Sequence, residues 1–250
     1  MQKIFQTTIT KSVEFSGVGL HTGKNAELRI LPARANEGII FKRVDLEKNN
    51  IIKADYQNVT SAKLCTTLEN AFGARVSTVE HILAALYISE IDNVLIEINN
   101  DEVPIMDGSA INFLEVLKNT EIKILSEKRN YLKIFDTVEL IDGEKRISIE
   151  PHDDTLEVEF QLNYKNKVIG NQKNIVNFTR DNVDDVSRSR TFCLFQDIEK
   201  IKKAGLAKGG SLENAIVVDN EKILNEDGLR NDKEFVNHKI LDLVGDFSLL

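Results

Sequence analysis

The amino-acid sequence predicts an α+β protein. Strand-like segments outnumber helical ones, the helical segments are few but long, and the two kinds do not alternate regularly, which argues against a doubly wound sheet. In chain order, Ala26, Leu28 and Ile30 alternate with Glu27 and Arg29, as on a strand with one wet face. Ser77-Thr-Val-Glu80 reads as a capping box that opens a helix from Thr78 to about Ile88. On that helix Val79, Ile82, Leu83 and Leu86 form one apolar stripe, and Ala84, Ala85 and Ile88 make the opposite side apolar too. Such a helix belongs between two layers, with His81 as its polar exception.

Val94–Ile98 is a short β-branched run suited to a buried strand. A helix over Ala110–Lys118 and a short strand lead to the polar stretch Leu125-Ser-Glu-Lys-Arg-Asn130, where the sequence predicts a domain boundary. Another strand is expected over Tyr131–Phe135. Leu156, Val158, Phe160 and Leu162 alternate with polar residues as the cleanest strand signal, and Ala215–Val218 reads as a buried strand. The last helix starts near Glu234, with Val236, Ile240, Leu243, Val244 and Phe247 as its core stripe.

Composition narrows the function. The 250 residues are 42% apolar and 29% charged, enough for one large or two small folded domains. Lys plus Arg is 32 against 40 for Asp plus Glu, a net charge of −8 with no basic tract, so nucleic acid is not an expected partner. No apolar run approaches the roughly 20 residues of a membrane span, and the first residues lack the apolar core of a signal peptide. Two cysteines, Cys65 and Cys193, make no disulfide scaffold and fit packing positions in a reducing compartment. The expectation is a soluble cytoplasmic protein.

The four histidines, His21, His81, His152 and His238, make metal sites easy to enumerate. His238, Asp242 and Asp246 follow one another at i+4 on the face of the last helix opposite its core stripe. Successive turns bring such side chains to about 5–6 Å, close enough for His238 and Asp242 to share an ion. His81 is the natural third ligand. The segments Val79-Glu-His81 and Val236-Asn-His238 echo each other, as two similar domains sharing a cleft would. Two imidazoles and one carboxylate leave a fourth position open, the pattern of a catalytic zinc site. The same residues also admit plainer readings: a local His–Asp pair on a solvated face, a hydrogen-bonded core histidine, and a capping role for Glu80.

At these positions the sequence resembles the UDP-3-O-acyl-N-acetylglucosamine deacetylase family of lipid A biosynthesis. The resemblance rests on ordered segments: Gly17-Val-Gly-Leu-His-Thr-Gly23, Leu64-Cys-Thr-Thr67, Ser77-Thr-Val-Glu-His81, Val103-Pro-Ile-Met-Asp-Gly-Ser109, Ser189-Arg-Thr-Phe192, Leu224-Asn-Glu-Asp-Gly-Leu229 and His238-Lys-Ile-Leu-Asp-Leu-Val-Gly-Asp246. It implies two similar α+β domains, residues 1–127 and 128–250, each with helices packed between sheets. It further implies that His81, His238 and Asp242 bind Zn²⁺, that Glu80 is the general base, and that Thr191 stabilises the oxyanion. Asp246 would give electrostatic support, and Lys239 and Phe192 would contact the nucleotide-sugar, with Tyr164 near the uracil. An insert over about 193–218 would form the acyl passage, lined by Ile198, Ile201, Leu212, Ala215 and Val217 together with Leu20. The implied partner is a small nucleotide-sugar lipid handled by a monomer at the periphery of the inner membrane. The family continues beyond the last helix into a segment with another catalytic histidine, which neither His21 nor His152 matches. A chain lacking that C-terminal segment is therefore expected, and its alternative reading is an inactive binder of UDP-sugars or glycolipids.

Overall fold

The computed structural model describes residues 4–152 and 156–250. The chain begins with β1 (Phe5–Ile9), β2 (Val13–Val18), β3 (Asn25–Pro32), β4 (Ile39–Arg43) and β5 (Ile51–Lys53). Three short strands follow, β6 (Val59–Ser61), β7 (Thr67–Glu69) and β8 (Arg75–Ser77), then α1 (Glu80–Ile88), β9 (Val94–Ile98), α2 (Ile111–Lys118) and β10 (Ile122–Lys128). The remainder comprises β11 (Val138–Asp142), β12 (Lys145–Ile149), β13 (Glu157–Asn163), β14 (Asn171–Asn177), α3 (Asp184–Arg188), β15 (Phe192–Leu194), α4 (Phe195–Lys203), β16 (Ile216–Val218) and α5 (Glu234–Phe247). Mixed sheets and helices without regular alternation make this an α+β fold.

The largest sheet has the order β2-β3-β9-β4-β5. Its pairs are antiparallel except β4–β9. Period-2 alternation works as expected on β3, where Ala26, Leu28 and Ile30 are buried and their neighbours face water. Central β9 buries Val94, Ile96 and Ile98 completely, matching its β-branched composition. Helix α1 is buried on every side from Glu80 to Leu86 and packs against α2 and α5. Helix α5 in turn contacts α3 and the β13–β14 hairpin. The layered position foreseen for an all-round apolar helix is therefore real, with α5 covering one side of α1.

Three local expectations need correction. The Ser77 capping box does not form. Ser77 is the last residue of β8, its hydroxyl accepts from Thr67 Oγ1 at 3.1 Å, and its N–H is bonded to the Asp101 carbonyl. Thr78 then turns the chain with φ at 58°, and α1 starts at Glu80 with Val79 as an N-cap that makes no side-chain bond. The unusual Thr78 conformation is held by the buried Glu102 carboxylate, which accepts from Thr78 Oγ1 at 2.9 Å and from the N–H groups of His21 and Thr22. Second, the short strand expected before the polar stretch continues into it, because β10 runs through Lys128 paired with β1. Its polarity reflects an exposed strand. Third, Tyr131–Phe135 is not a strand. Pairing resumes only at Val138, and a β-prone run without a ladder stays irregular.

Where α1 and α5 cross, their backbones approach closely. A Cβ placed on Gly245 would lie 2.0 Å from the Glu80 carbonyl oxygen, so nothing larger than glycine fits without moving helix backbone. We expect Gly245→Ala to lower the unfolding free energy by about 1–3 kcal/mol. Urea unfolding checks this, and a loss below about 0.5 kcal/mol would mean that the crossing is softer than described.

Candidate metal centre

The α1–α5 crossing fixes which side chains meet. Glu80 and His81 lie in the first turn of α1, and His238, Asp242 and Asp246 line the covered face of α5. That face is largely covered, contrary to the plainer reading of the His–Asp pair, with His238 buried and Asp242 and Asp246 half-buried. His81 and His238 are only 3% and 1% exposed. Their rings meet edge-on with centroids 5.1 Å apart. The Nε2 atoms of both histidines lie 3.4 Å from the same oxygen, Asp242 Oδ1. One ligand atom from each of the three residues falls within 4.8 Å of the other two.

The donor set fits a divalent cation. Asp242 Oδ1 is buried and accepts no hydrogen bond, a costly state for a carboxylate oxygen unless a cation satisfies it. Tetrahedral zinc with bonds of about 2.0–2.1 Å separates neighbouring ligand atoms by about 3.3 Å, close to both His–Asp distances. His238 Nδ1 lies 3.1 Å from the Ser189 carbonyl oxygen. Donation to that carbonyl leaves Nε2 unprotonated and facing Asp242, the usual support of a ligating imidazole.

Electrostatics follow from burial around these charges. Burial, with the Asp242 charge adding to it and His81 opposing, pushes the Glu80 carboxyl up to about 7. Burial pulls the His238 imidazole down to about 3. Asp242 is also buried, but the neighbouring His238, Lys239 and His81 hold its carboxyl well below the usual range. Lys239 Nζ donates to Asp242 Oδ2 at 2.9 Å, and that carboxylate raises the lysine's affinity for its proton. Burial raises the Asp246 carboxyl, with a Thr66 hydrogen bond working the other way.

Other residues singled out in the sequence sort into two groups. Phe192, the first residue of β15, belongs to the same cluster as the histidines. Its ring is 6.2 Å from His238, 5.9 Å from Tyr164 and 5.0 Å from Phe235, and Lys239 Nζ stands 5.4 Å from its centroid. Thr191 is placed through its backbone, donating to Gly108 and accepting from Ile216, both at 2.8 Å. The acyl-passage residues belong to the unit that leaves at β15 and returns at its parallel partner β16. Ile198 and Ile201 are half-buried on α4, Ala215 and Val217 are buried, and Leu212 is exposed. Leu20 joins this unit through its carbonyl, which accepts from Gly209 N–H at 3.0 Å. His21 is buried and accepts from Ala207 N–H, while His152 pairs with Glu157. Cys65 and Cys193 are half-buried and unbridged.

Several supporting residues leave no trace in helix or strand periodicity. Thr66 bonds both Glu80 and Asp246. Arg190 forms a buried ion pair with Glu234 at 2.8 Å and holds the Ser189–Phe192 segment against the start of α5. Asn225 bonds the backbone of Leu212, Ala215 and Val217. Such side-chain-to-backbone bonds depend on tertiary placement and leave no periodic trace.

Residues 6–250 match the family model described as LpxC: UDP-3-O-acyl N-acetylglycosamine deacetylase. Among curated relatives, the UDP-3-O-acyl-N-acetylglucosamine deacetylase of Nautilia profundicola is 44% identical over 246 residues, covering 98% of this chain and 82% of its own. The protein of the same description from Geotalea uraniireducens is 45% identical, covering 98% and 80%. That from Pseudoalteromonas atlantica is 41% identical over 249 residues, covering 98% and 82%. The whole ordered set of residues built around the α1–α5 crossing lies inside the matched region, and the chain belongs to the UDP-3-O-acyl-N-acetylglucosamine deacetylase family.

Proposed function

We propose that this chain is a zinc-dependent hydrolase that removes the N-acetyl group from UDP-3-O-acyl-N-acetylglucosamine, giving acetate and UDP-3-O-acyl-glucosamine. The observation that carries the reading is the buried, unsatisfied Asp242 Oδ1 facing two imidazole Nε2 atoms at 3.4 Å. His81, His238 and Asp242 would hold the ion, and two nitrogens with one carboxylate oxygen suit zinc with an open position. Zinc bound there would supply Lewis acidity, lowering the pKa of water to about 7 and polarising an amide carbonyl.

The protein's own groups account for the rest. Glu80 is no ligand in this set; its carboxylate takes a proton from the attacking water and returns it to the amide nitrogen as the C–N bond breaks, a role typically worth about 10²–10⁴ in rate. Burial keeps this carboxyl above the ordinary carboxylate range in the metal-free site. Thr191 donates its hydroxyl to the oxygen that becomes negative as the amide carbon turns tetrahedral, a donation worth about 10²–10³ where the donor is preorganised. Lys239, tied to Asp242, presents a cation to the nucleotide-sugar, and Phe192 with Tyr164 offers aromatic faces to it. The acyl chain occupies the unit between β15 and β16, against Leu20, Ile198, Ile201, Leu212, Ala215 and Val217. In this reading residues 1–127 and 128–250 are two domains that each contribute one histidine. No helix among the described residues is long and apolar enough to cross a membrane, and the lipid substrate brings the protein to the membrane surface.

Release of acetate from the substrate by the purified, zinc-loaded chain tests the reading; binding without release would favour a non-catalytic UDP-sugar binder. Glu80→Gln should retain stoichiometric zinc and lose about 10²–10⁴ in rate. His81→Ala and Asp242→Ala should empty the site, and elemental analysis showing full zinc in either variant would remove that residue from the ligand set.

The raised Glu80 carboxyl also predicts a pH effect on the metal-free protein. Its folded pKa, about 7, lies above the ordinary glutamate value of 4.5, so the folded state binds the extra proton between those limits. That contribution to stability is present below about pH 4.5 and is lost as pH rises through 7. Metal-free Glu80→Gln should therefore gain on the wild type between pH 5 and pH 8. Urea unfolding at both pH values measures this; a constant difference between the two proteins would place the Glu80 pKa near its unfolded value.

A further inference from the structure

Thr66 lies immediately before β7, is 5% exposed, and uses all three of its polar groups at the helix crossing. Its carbonyl accepts from Val79 N–H at 3.5 Å, just ahead of α1. Its own N–H donates to Glu80 Oε2 at 3.1 Å. Its hydroxyl donates to Asp246 Oδ1 at 2.7 Å, although the two residues are 180 positions apart. One residue therefore joins the first turn of α1 to the last turn of α5, and does so through both carboxylates that flank the metal trio without belonging to it.

A carboxylate's terminal torsion is broad and roughly two-fold, so an aspartate at a helix end does not orient its own oxygens. A short bond from a buried hydroxyl to a charged oxygen supplies that orientation, and such charge-assisted bonds are stronger than neutral ones. The backbone N–H does the same for Glu80, leaving its other oxygen for chemistry. Because Thr66 is fixed at the start of β7, the separation and aim of the two carboxylates are set by one rigid element.

We infer that Thr66 is a positioning residue for the reaction, clamping Glu80 through its N–H and Asp246 through its hydroxyl. The inference rests on the deacetylase reading above and adds a residue that touches neither metal nor substrate. Thr66→Val keeps the backbone bond and the shape but loses the hydroxyl. Thr66→Ser keeps both bonds.

Steady-state deacetylation by the zinc-loaded chain, with zinc content measured in parallel, tests it. Thr66→Val should lower kcat by about tenfold or more, with KM and bound zinc unchanged, and Thr66→Ser should recover most of the rate. In an Asp246→Asn background, Thr66→Val should cost little further, because the bond it removes no longer orients a charged carboxylate. Wild-type kcat in Thr66→Val, or the same loss in both backgrounds, would overturn the clamp. A wild-type chain that releases no acetate overturns the deacetylase reading before any variant is compared, and the clamp's catalytic role falls with it.

Discussion

The site exists because two helix backbones touch. Where α5 passes α1, the space that a side chain on residue 245 would need is filled by the carbonyl oxygen of Glu80. Ordinary helix pairs are held about 8–10 Å apart by the side chains between their axes. A glycine at the contact removes that spacer, and the residues one turn earlier on α5 come within ligand distance of the first turn of α1. His81 and Asp242 are remote in sequence but 3.4 Å apart in space for this reason. The same approach excludes water from Glu80, so geometry and electrostatics come from one contact.

Burying this many ionisable groups is destabilising unless they compensate one another. Asp242 faces Lys239 and two imidazoles, and its remaining lone pairs point where a cation would sit. The surrounding shell is equally committed. Glu234 at the start of α5 is fully buried and accepts from the Arg190 side chain, Arg190 N–H and Arg230 N–H. That ion pair holds the strand-forming segment whose Ser189 carbonyl orients His238. A buried pair of this kind is weak evidence for stability; its consequence here is to register the Ser189–Phe192 segment against α5. Glu102 performs the matching task for α1 by holding Thr78 and the Leu20–Thr22 turn.

How much of this could be read from the sequence depends on the range of each interaction. Period-2 alternation located β3 and β13, and helical periodicity located α1 and α5, because both signals arise from one face of one element meeting a core. The i+4 spacing of His238 and Asp242 pointed to two members of the trio that the fold brings together, and the scarcity of histidines pointed to the third, His81. The capping box failed because Ser77 is claimed by a ladder with Thr67, a competitor that local rules do not weigh. Tyr131–Phe135 failed for the converse reason: propensity without a partner strand. Thr66, Ser189, Arg190 and Glu102 act through hydrogen bonds to partners up to 180 positions away, and no periodicity marks them.

The unit between β15 and β16 shows how the centre's rigidity reaches outward and where it stops. Its ends pair as a three-residue parallel ladder, Phe192 with Ile216 through Leu194 with Val218. Phe192 sits against His238, and Thr191 bonds both Gly108 and Ile216, so both ends inherit the register of the metal centre. Gly108 allows no side chain there, since a Cβ would lie 2.2 Å from the Asn214 carbonyl oxygen. Beyond these anchors the packing thins: α4 has no fully buried residue and carries Lys200, Lys202 and Lys203 in its last turn. The span is tied again past α4, where the N–H groups of Ala207, Lys208 and Gly209 donate to His21 and Leu20, so the lightly packed part is α4 alone, a segment that opens at low cost while its flanks stay fixed. Adjustment of α4 therefore leaves the placement of Thr191 and Phe192 unchanged.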